Sequence, residues 1–282
     1  TMTKPKEVKP LRGILKHLNF NAKKSFGQHF LFDQNLTDKI ARVAIDDKKD
    51  GLSNFTVIEI GPGPGGLTQS ILREKPKQLY VIERDLRYLE PLTQLRQIHA
   101  NKLIIIIGDA MTFSISNFGH APRRIIANLP YNISTALLIQ WLKQINNIDQ
   151  MTLMFQTEVV KRITAQPSCK SYGRLSVITQ WLCKPTLEFH IDKRAFIPAP
   201  KVGSSLVTLK ARPSPLHPAQ FEYLEKITAL AFGQRRKMLR SSLRTLDIDI
   251  PSLGIDQTAR PENLSIEEFC LLAQVIEQRS LN

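Results

Sequence analysis

Cysteine is scarce in this chain of 282 residues: three occur, Cys169, Cys183 and Cys270. Widely spaced and odd in number, they make neither a Cys-x-x-Cys metal pair nor a disulfide ladder. A bound metal and a disulfide scaffold are therefore not expected, and a reducing, cytoplasmic setting fits best. Long apolar runs are missing as well. The longest, Leu103 to Ile107, falls far short of the roughly 20 residues that span a bilayer as a helix. Residues 1–24 carry charges but no apolar core of a secretory signal, so no membrane or export function is expected. No apolar excess calls for a second copy, and a monomer is expected. The scarcest quantity is acid: 25 Asp and Glu stand against 39 Lys and Arg, a formal charge of +14.

The imbalance is not spread evenly. Through Arg212 there are 31 basic and 16 acidic residues; beyond it there are 8 and 9. A strongly basic cytosolic chain partners nucleic acid, with affinity set largely by phosphate contacts. Seven of the basic residues (Lys4, Lys6, Lys9, Arg12, Lys16, Lys23 and Lys24) lie in residues 1–24 beside a single acid, Glu7. This stretch reads as a basic N-terminal arm that orders on a polyanion.

From Asp33 an amphipathic stretch places Leu36, Ile40 and Val43 at helical spacing. Beyond Thr56 short apolar runs alternate with helical patterns. Strands are expected at Val57–Ile60, Leu79–Ile82, Leu103–Ile107, Ile125–Ala127 and Met151–Phe155, with helices between them. Thr186–Ile191 and Ser205–Lys210 are rich in β-formers and suit a closing hairpin or a returning edge strand. The pattern is that of an α/β fold with a mostly parallel, doubly wound sheet, in which ligands bind at the carboxyl ends of the strands. Pro213 to Pro218 reads as a linker, and no strand pattern follows it. Phe221, Leu224, Ile227 and Ala231 mark one helix, and Ser265-x-x-Glu268 is a capping box ahead of another. The expected organisation is an arm at 1–24, a sheet domain at 25–212 and a small all-helical, RNA-binding domain at 213–282.

The residues at the strand ends carry the chemistry. Gly61, Gly63 and Gly66 follow the first strand as G-x-G-x-x-G, and Glu83 ends the next. That spacing suits a dinucleotide, with backbone close to the ligand and a carboxylate on the ribose hydroxyls. It suits S-adenosylmethionine equally, and Pro62 and Pro64 remove amide donors that a pyrophosphate would use. Asp109, after the third strand, is placed either to take an adenine amine or to cap a turn. The strand at Ile125–Ala127 ends in Asn128-Leu129-Pro130-Tyr131. An Asn oxygen and a backbone carbonyl held rigid by proline suit the hydrogens of a purine amine, and Tyr131 offers a stacking face.

Taken together, Glu59-x-Gly61-x-Gly63, Glu83, Gly108-Asp109-Ala110 and Asn128 to Tyr131 resemble the class I S-adenosylmethionine-dependent methyltransferases in order and spacing. Asn-Leu-Pro-Tyr is similar to the form found in the ribosomal RNA adenine N6-dimethyltransferase family. Further stretches agree with that family: Lys24 to Leu31, Gln156 to Arg162, Tyr172 to Ser176, Phe196 to Ser204, Phe232 to Lys237 and Arg260 to Ser265. The resemblance covers the chain from about residue 23 onward.

It implies a Rossmann-like sheet, S-adenosylmethionine as cofactor, and cofactor contacts at His29, Leu31, Gly61, Gly63, Glu83, Asp109 and Asn128. Position 29 is often Asn in the family, so a backbone contact carries over to His29 and a side-chain contact does not. Catalytic positions implied are Asn128, Leu129, Pro130 and Tyr131, with Phe196 as a second aromatic on the far face of a flipped adenine. The implied substrate is a pair of adjacent adenosines in the 3′-terminal hairpin of 16S rRNA within the immature 30S subunit, a step in ribosome biogenesis. Arg235, Arg236, Lys237, Arg240 and Arg244 form a run without acids. At helical spacing Arg236, Arg240 and Arg244 would share one face as a phosphate ladder. A DNA adenine methyltransferase would carry a second proline where Leu129 stands. A nicotinamide dehydrogenase explains the glycine loop but not Asn128 to Tyr131, and a pure RNA-binding assembly factor has no need of Glu83.

Overall fold

A computed structural model describes residues 29–46 and 49–281, and the basic arm at 1–24 lies outside them. The chain separates into two compact units. One holds the residues through Thr157 together with Leu187–Leu209; the other holds Glu158–Thr186 with the residues from Lys210 onward.

The first unit is built on a parallel sheet. Strands β2 (Thr56–Ile60), β3 (Gln78–Glu83), β4 (Leu103–Ile107), β5 (Arg123–Asn128) and β6 (Gln150–Gln156) pair in the order 4-3-2-5-6, all parallel. Two later strands extend it. β7 (Cys183–Ile191) is outermost, and β9 (Ser204–Ala211) inserts between it and β6. Of the two expectations for these segments, the pairing of a closing hairpin is seen: β7 and β9 are neighbours, and the returning β9 is interior while β7 takes the edge. Sandwiched strands are apolar on both faces, and all five residues of β2 are buried. A short ribbon, β1 (Phe30–Leu31) against β8 (Phe196–Ile197), pairs antiparallel beside the sheet.

Helices α1 (Gln34–Val43), α2 (Gly66–Arg73), α3 (Leu89–Ile98) and α4 (Ser134–Leu142) connect these strands. The first two start for a local reason. Asp33 caps α1, its carboxylate accepting from Asn35 and Leu36 N–H. Gly65, at φ +89°, turns the chain into α2. Leu67, Ile71 and Leu72 of α2 join Ile40, Val57, Leu92 and Leu95 in the core. Each such side chain contributes roughly 1.5–3 kcal/mol when fully buried.

The second unit is helical: α5 (Thr157–Thr164), α6 (Arg174–Leu182), α7 (Phe221–Gly233), α8 (Leu239–Ser242) and α9 (Ile266–Leu281). The sequence reading ended the sheet domain at 212, whereas residues 158–186 group with the tail. The physical reason is aromatic: Trp181 of α6 meets Phe221 at 6.1 Å, and Tyr172 meets Phe232 at 6.0 Å, with Phe232 in turn 5.4 Å from Phe269. The capping box before α9 is present. Ser265 N–H donates to Glu268 at 2.7 Å and Glu268 N–H to Ser265 at 3.1 Å.

Candidate active site

The sheet order reverses between β2 and β5, and strand register then places the site. Ile60 lies level with Ile82 and Ile58 with Ile125. One residue beyond Ile60, and three beyond Ile58, Gly61 falls level with both Glu83 and Asn128. Adjacent strands are about 4.8 Å apart, so Glu83, Gly61 and Asn128 form a row across the strand ends, with Asp109 two residues past the end of β4. An open cleft runs along Glu83 and Gly61, lined also by Asp109, Met111, Pro130 and Asn132. A second, smaller hollow adjoins it at Gly61, lined by Phe30, Leu31, Glu59, Pro62 and Asn128. Switch-point crevices of this kind are where doubly wound sheets take ligands.

The glycine loop is shaped by contact rather than by flexibility. A Cβ on Gly63 would lie 2.2 Å from the Phe30 ring, and its φ of +54° is one that side chains avoid. Gly63 N–H donates to Glu83 Oε2 at 3.0 Å, while Asp85 N–H donates to Oε1 at 2.8 Å. Both oxygens of Glu83 are thereby fixed, and the Arg84 backbone is a further donor to the carboxylate. Burial pushes the Glu83 carboxyl up, and these backbone donors oppose it. Asp109 caps a short turn, accepting from Met111 N–H at 3.0 Å, and its other oxygen lies 3.5 Å from Arg84. Of the two readings of Asp109, the capping role is visible directly, and the residue also lines the larger cleft.

Asn128 is held at its donor end. Its Nδ2 donates to the backbone carbonyl of His29 at 2.6 Å. Among the described residues Oδ1 has no donor, so the acceptor end is the available one. Leu129 is buried, and Pro130 lies 3.9 Å from the Cβ position of Gly61. Tyr131 is half-buried, with its hydroxyl bonded to the fully buried Ser204 and its ring 5.2 Å from that of His29. Burial raises the Tyr131 phenol, and the bond to Ser204 opposes the rise. Ser134 Oγ donates to the Tyr131 carbonyl at 3.0 Å, and Ile133 N–H to that of Pro130 at 3.2 Å.

Two expectations need correction. Phe196, expected as a base-stacking wall, is 2% exposed and belongs to the core, paired with Leu31 across the ribbon. Its ring would have to leave that core to face a base. The Arg236–Arg240–Arg244 ladder on one helical face is absent. α7 ends at Gly233, residue 238 is extended, and Arg240 sits in the separate short helix α8, its first-turn N–H donating to the Gln257 carbonyl. Arg235 is pinned, donating to Glu262 at 2.9 Å and to the Lys170 carbonyl at 2.6 Å. Arg236, Lys237, Arg240 and Arg244 are exposed and make no ion pair among the described residues.

Two residues of the site stand in the motifs read above without a role of their own. Glu59 is 1% exposed and accepts from Thr68 Oγ1 at 2.7 Å; burial, helped by the charge of Glu83, pushes its carboxyl up to about 8. The signal was an acid inside an otherwise apolar strand. For Ser204 it was a hydroxyl opening the apolar run of β9. Among the described residues no group of three His, Cys, Asp or Glu could hold a metal, and no helix is long and apolar enough to cross a membrane.

Known proteins resemble this chain over most of its length. The family model described as Ribosomal RNA adenine dimethylase matches residues 19–278. A protein of Paramagnetospirillum magneticum named Ribosomal RNA small subunit methyltransferase A is 49% identical, over 98% of each chain. Its namesake in Rhodospirillum rubrum is 47% identical over 95% of this chain and 92% of that one. A dimethyladenosine transferase from Plasmodium falciparum superposes with a TM-score of 0.76 at 24% identity, covering 89% of this chain and 98% of that one. The fold is that of the class I methyltransferases.

Proposed function

The chain belongs to the ribosomal RNA adenine dimethylase family, and from that premise we propose that it transfers methyl groups from S-adenosylmethionine to N6 of two adjacent adenosines in the 3′-terminal hairpin of 16S rRNA, within the immature 30S subunit in the cytoplasm. The residues present fit the cofactor. Glu83 stands level with Gly61 and lines the cleft where ribose hydroxyls would lie, Asp109 lines the same cleft, and the neighbouring carboxylates favour a cationic ligand. His29 and Leu31 border the site through the backbone and an apolar side chain. When bound, the cofactor supplies a methyl group on a sulfonium sulfur that leaves readily.

The observation that carries the reading is the orientation of Asn128. Its donor end is tied to His29, so Oδ1 is the acceptor for one hydrogen of an adenine amine. The Leu129 carbonyl is the acceptor proposed for the second hydrogen, those of Pro130 and Tyr131 already accepting from Ile133 N–H and Ser134 Oγ. Two such bonds draw the amine nitrogen toward a tetrahedral shape and aim its lone pair. The target base must leave its stack, and Tyr131 provides the ring on which it rests. No dedicated base is needed, because the alkylated amine gives up its proton readily to water.

The small-subunit substrate is favoured by the names of the relatives and by the exposed Arg236, Lys237, Arg240 and Arg244 in the helical unit. The test is transfer of labelled methyl from S-adenosylmethionine to under-methylated 30S subunits, 50S subunits, naked RNA and DNA. Two methyl groups on each of two adjacent adenosines of the 30S subunit are expected. Label in the 50S subunit or in DNA, with none in the 30S subunit, would overturn the assignment.

A further inference from the structure

His29 joins three parts of the site. Its carbonyl takes the Asn128 amide hydrogen at 2.6 Å, its ring lies 5.2 Å from Tyr131, and its Nδ1 is 2.7 Å from the carbonyl of Pro198. That carbonyl is an acceptor only, so Nδ1 carries the proton. The next two residues are the whole of β1, paired at Phe30↔Ile197 and Leu31↔Phe196. A two-residue ribbon is a weak anchor by itself. The imidazole bond therefore adds a third rung, at the residue whose carbonyl orients Asn128.

We propose that the His29 side chain is a positioning residue: by bonding the Pro198 carbonyl it clamps the ribbon, so that the His29 carbonyl holds Asn128 with Oδ1 outward. The proposal rests on the methyl-transfer reading above. In it the imidazole touches neither cofactor nor adenine and acts only through Asn128 and the Tyr131 ring. This differs from a side-chain contact to the cofactor, which would act on cofactor affinity. The two ends of the clamp are separated by 169 residues in the chain. They come together through the packing of β1 and β8, and the link depends on a side chain long enough to reach across it.

Three substitutions divide the possibilities. His29→Ala removes donor and ring; His29→Phe keeps a ring beside Tyr131 but removes the donor; His29→Asn keeps a donor. Each would be assayed for single-turnover methylation of under-methylated 30S subunits beside wild type, with S-adenosylmethionine affinity by calorimetry and melting temperature as a check on folding. The expected result is a single-turnover rate lowered about tenfold in the Ala and Phe variants and within about threefold of wild type for Asn. Cofactor affinity should stay within about twofold throughout. Weakened cofactor binding with the single-turnover rate unchanged at saturation would overturn the proposal in favour of a cofactor contact. A fully active Phe variant would show the donor to be dispensable. A wild type that methylates while His29→Ala matches it defeats the clamp alone; a wild type that methylates no 30S RNA defeats the underlying reading as well.

Discussion

At the scale of single residues, the site depends on carboxyls that are not in their ordinary state. Glu59 is enclosed by β2 and α2 and holds its proton up to about pH 8, against 4.5 for a free carboxyl. In the unfolded chain the group ionises near the ordinary value, so between these two pH values unfolding releases a proton. The stability this contributes is fully present below about 4.5 and is lost as pH rises through about 8. Glu59→Gln keeps an acceptor for the Thr68 hydroxyl and removes the titration. Its melting temperature relative to wild type should therefore climb steadily across that window and level off above it. The gain corresponds to on the order of a few kcal/mol at the alkaline end. Parallel melting curves for the two proteins from pH 5 to about pH 8 would mean that Glu59 is ionised in the fold.

At the scale of elements, the parallel strands were legible because each is a short apolar run stopped by a residue that does not belong in it: Gly61, Glu83, Gly108 or Asn128. Buried parallel strands need that composition, and their ends are where polar groups gather. What was not legible depended on distant partners. The place of β9 between β6 and β7 is a pairing choice that no local pattern encodes. Phe196 looks the same in sequence whether its ring faces a base or the core. The basic run after α7 reads as a helix until the backbone of Leu239 and Arg240 is seen bonded to Ala259 and Gln257. That difference separates the arginines by role. Arg235→Ala should destabilise the helical unit by about 1–2 kcal/mol, since it removes bonds to Glu262 and two carbonyls. It should move the salt slope of 30S binding little. Arg236→Ala with Arg240→Ala should leave the melting temperature within about a degree and flatten that slope by about one unit per lost phosphate contact. Filter binding across a salt series, read beside thermal melts, checks both, and an unchanged slope in the double variant would make these arginines an ordinary solvated surface.

At the scale of the whole molecule, the charge and the site answer different requirements. The excess of +14 brings any polyphosphate chain to the surface without regard to base. In the proposed reading, selecting an adenine amine falls to one row of strand ends, of which Asn128 is the member that would meet the reacting nitrogen. The two functions are separable, and that makes the central claim testable. Asn128→Ala removes the acceptor and leaves β5 and the exposed arginines of the helical unit in place. Single-turnover methylation of under-methylated 30S subunits, measured beside equilibrium binding, should show the rate falling by at least ~10²-fold while binding stays within a few-fold. An Asn128→Ala protein that dimethylates both adenosines at close to the wild-type rate would contradict the account.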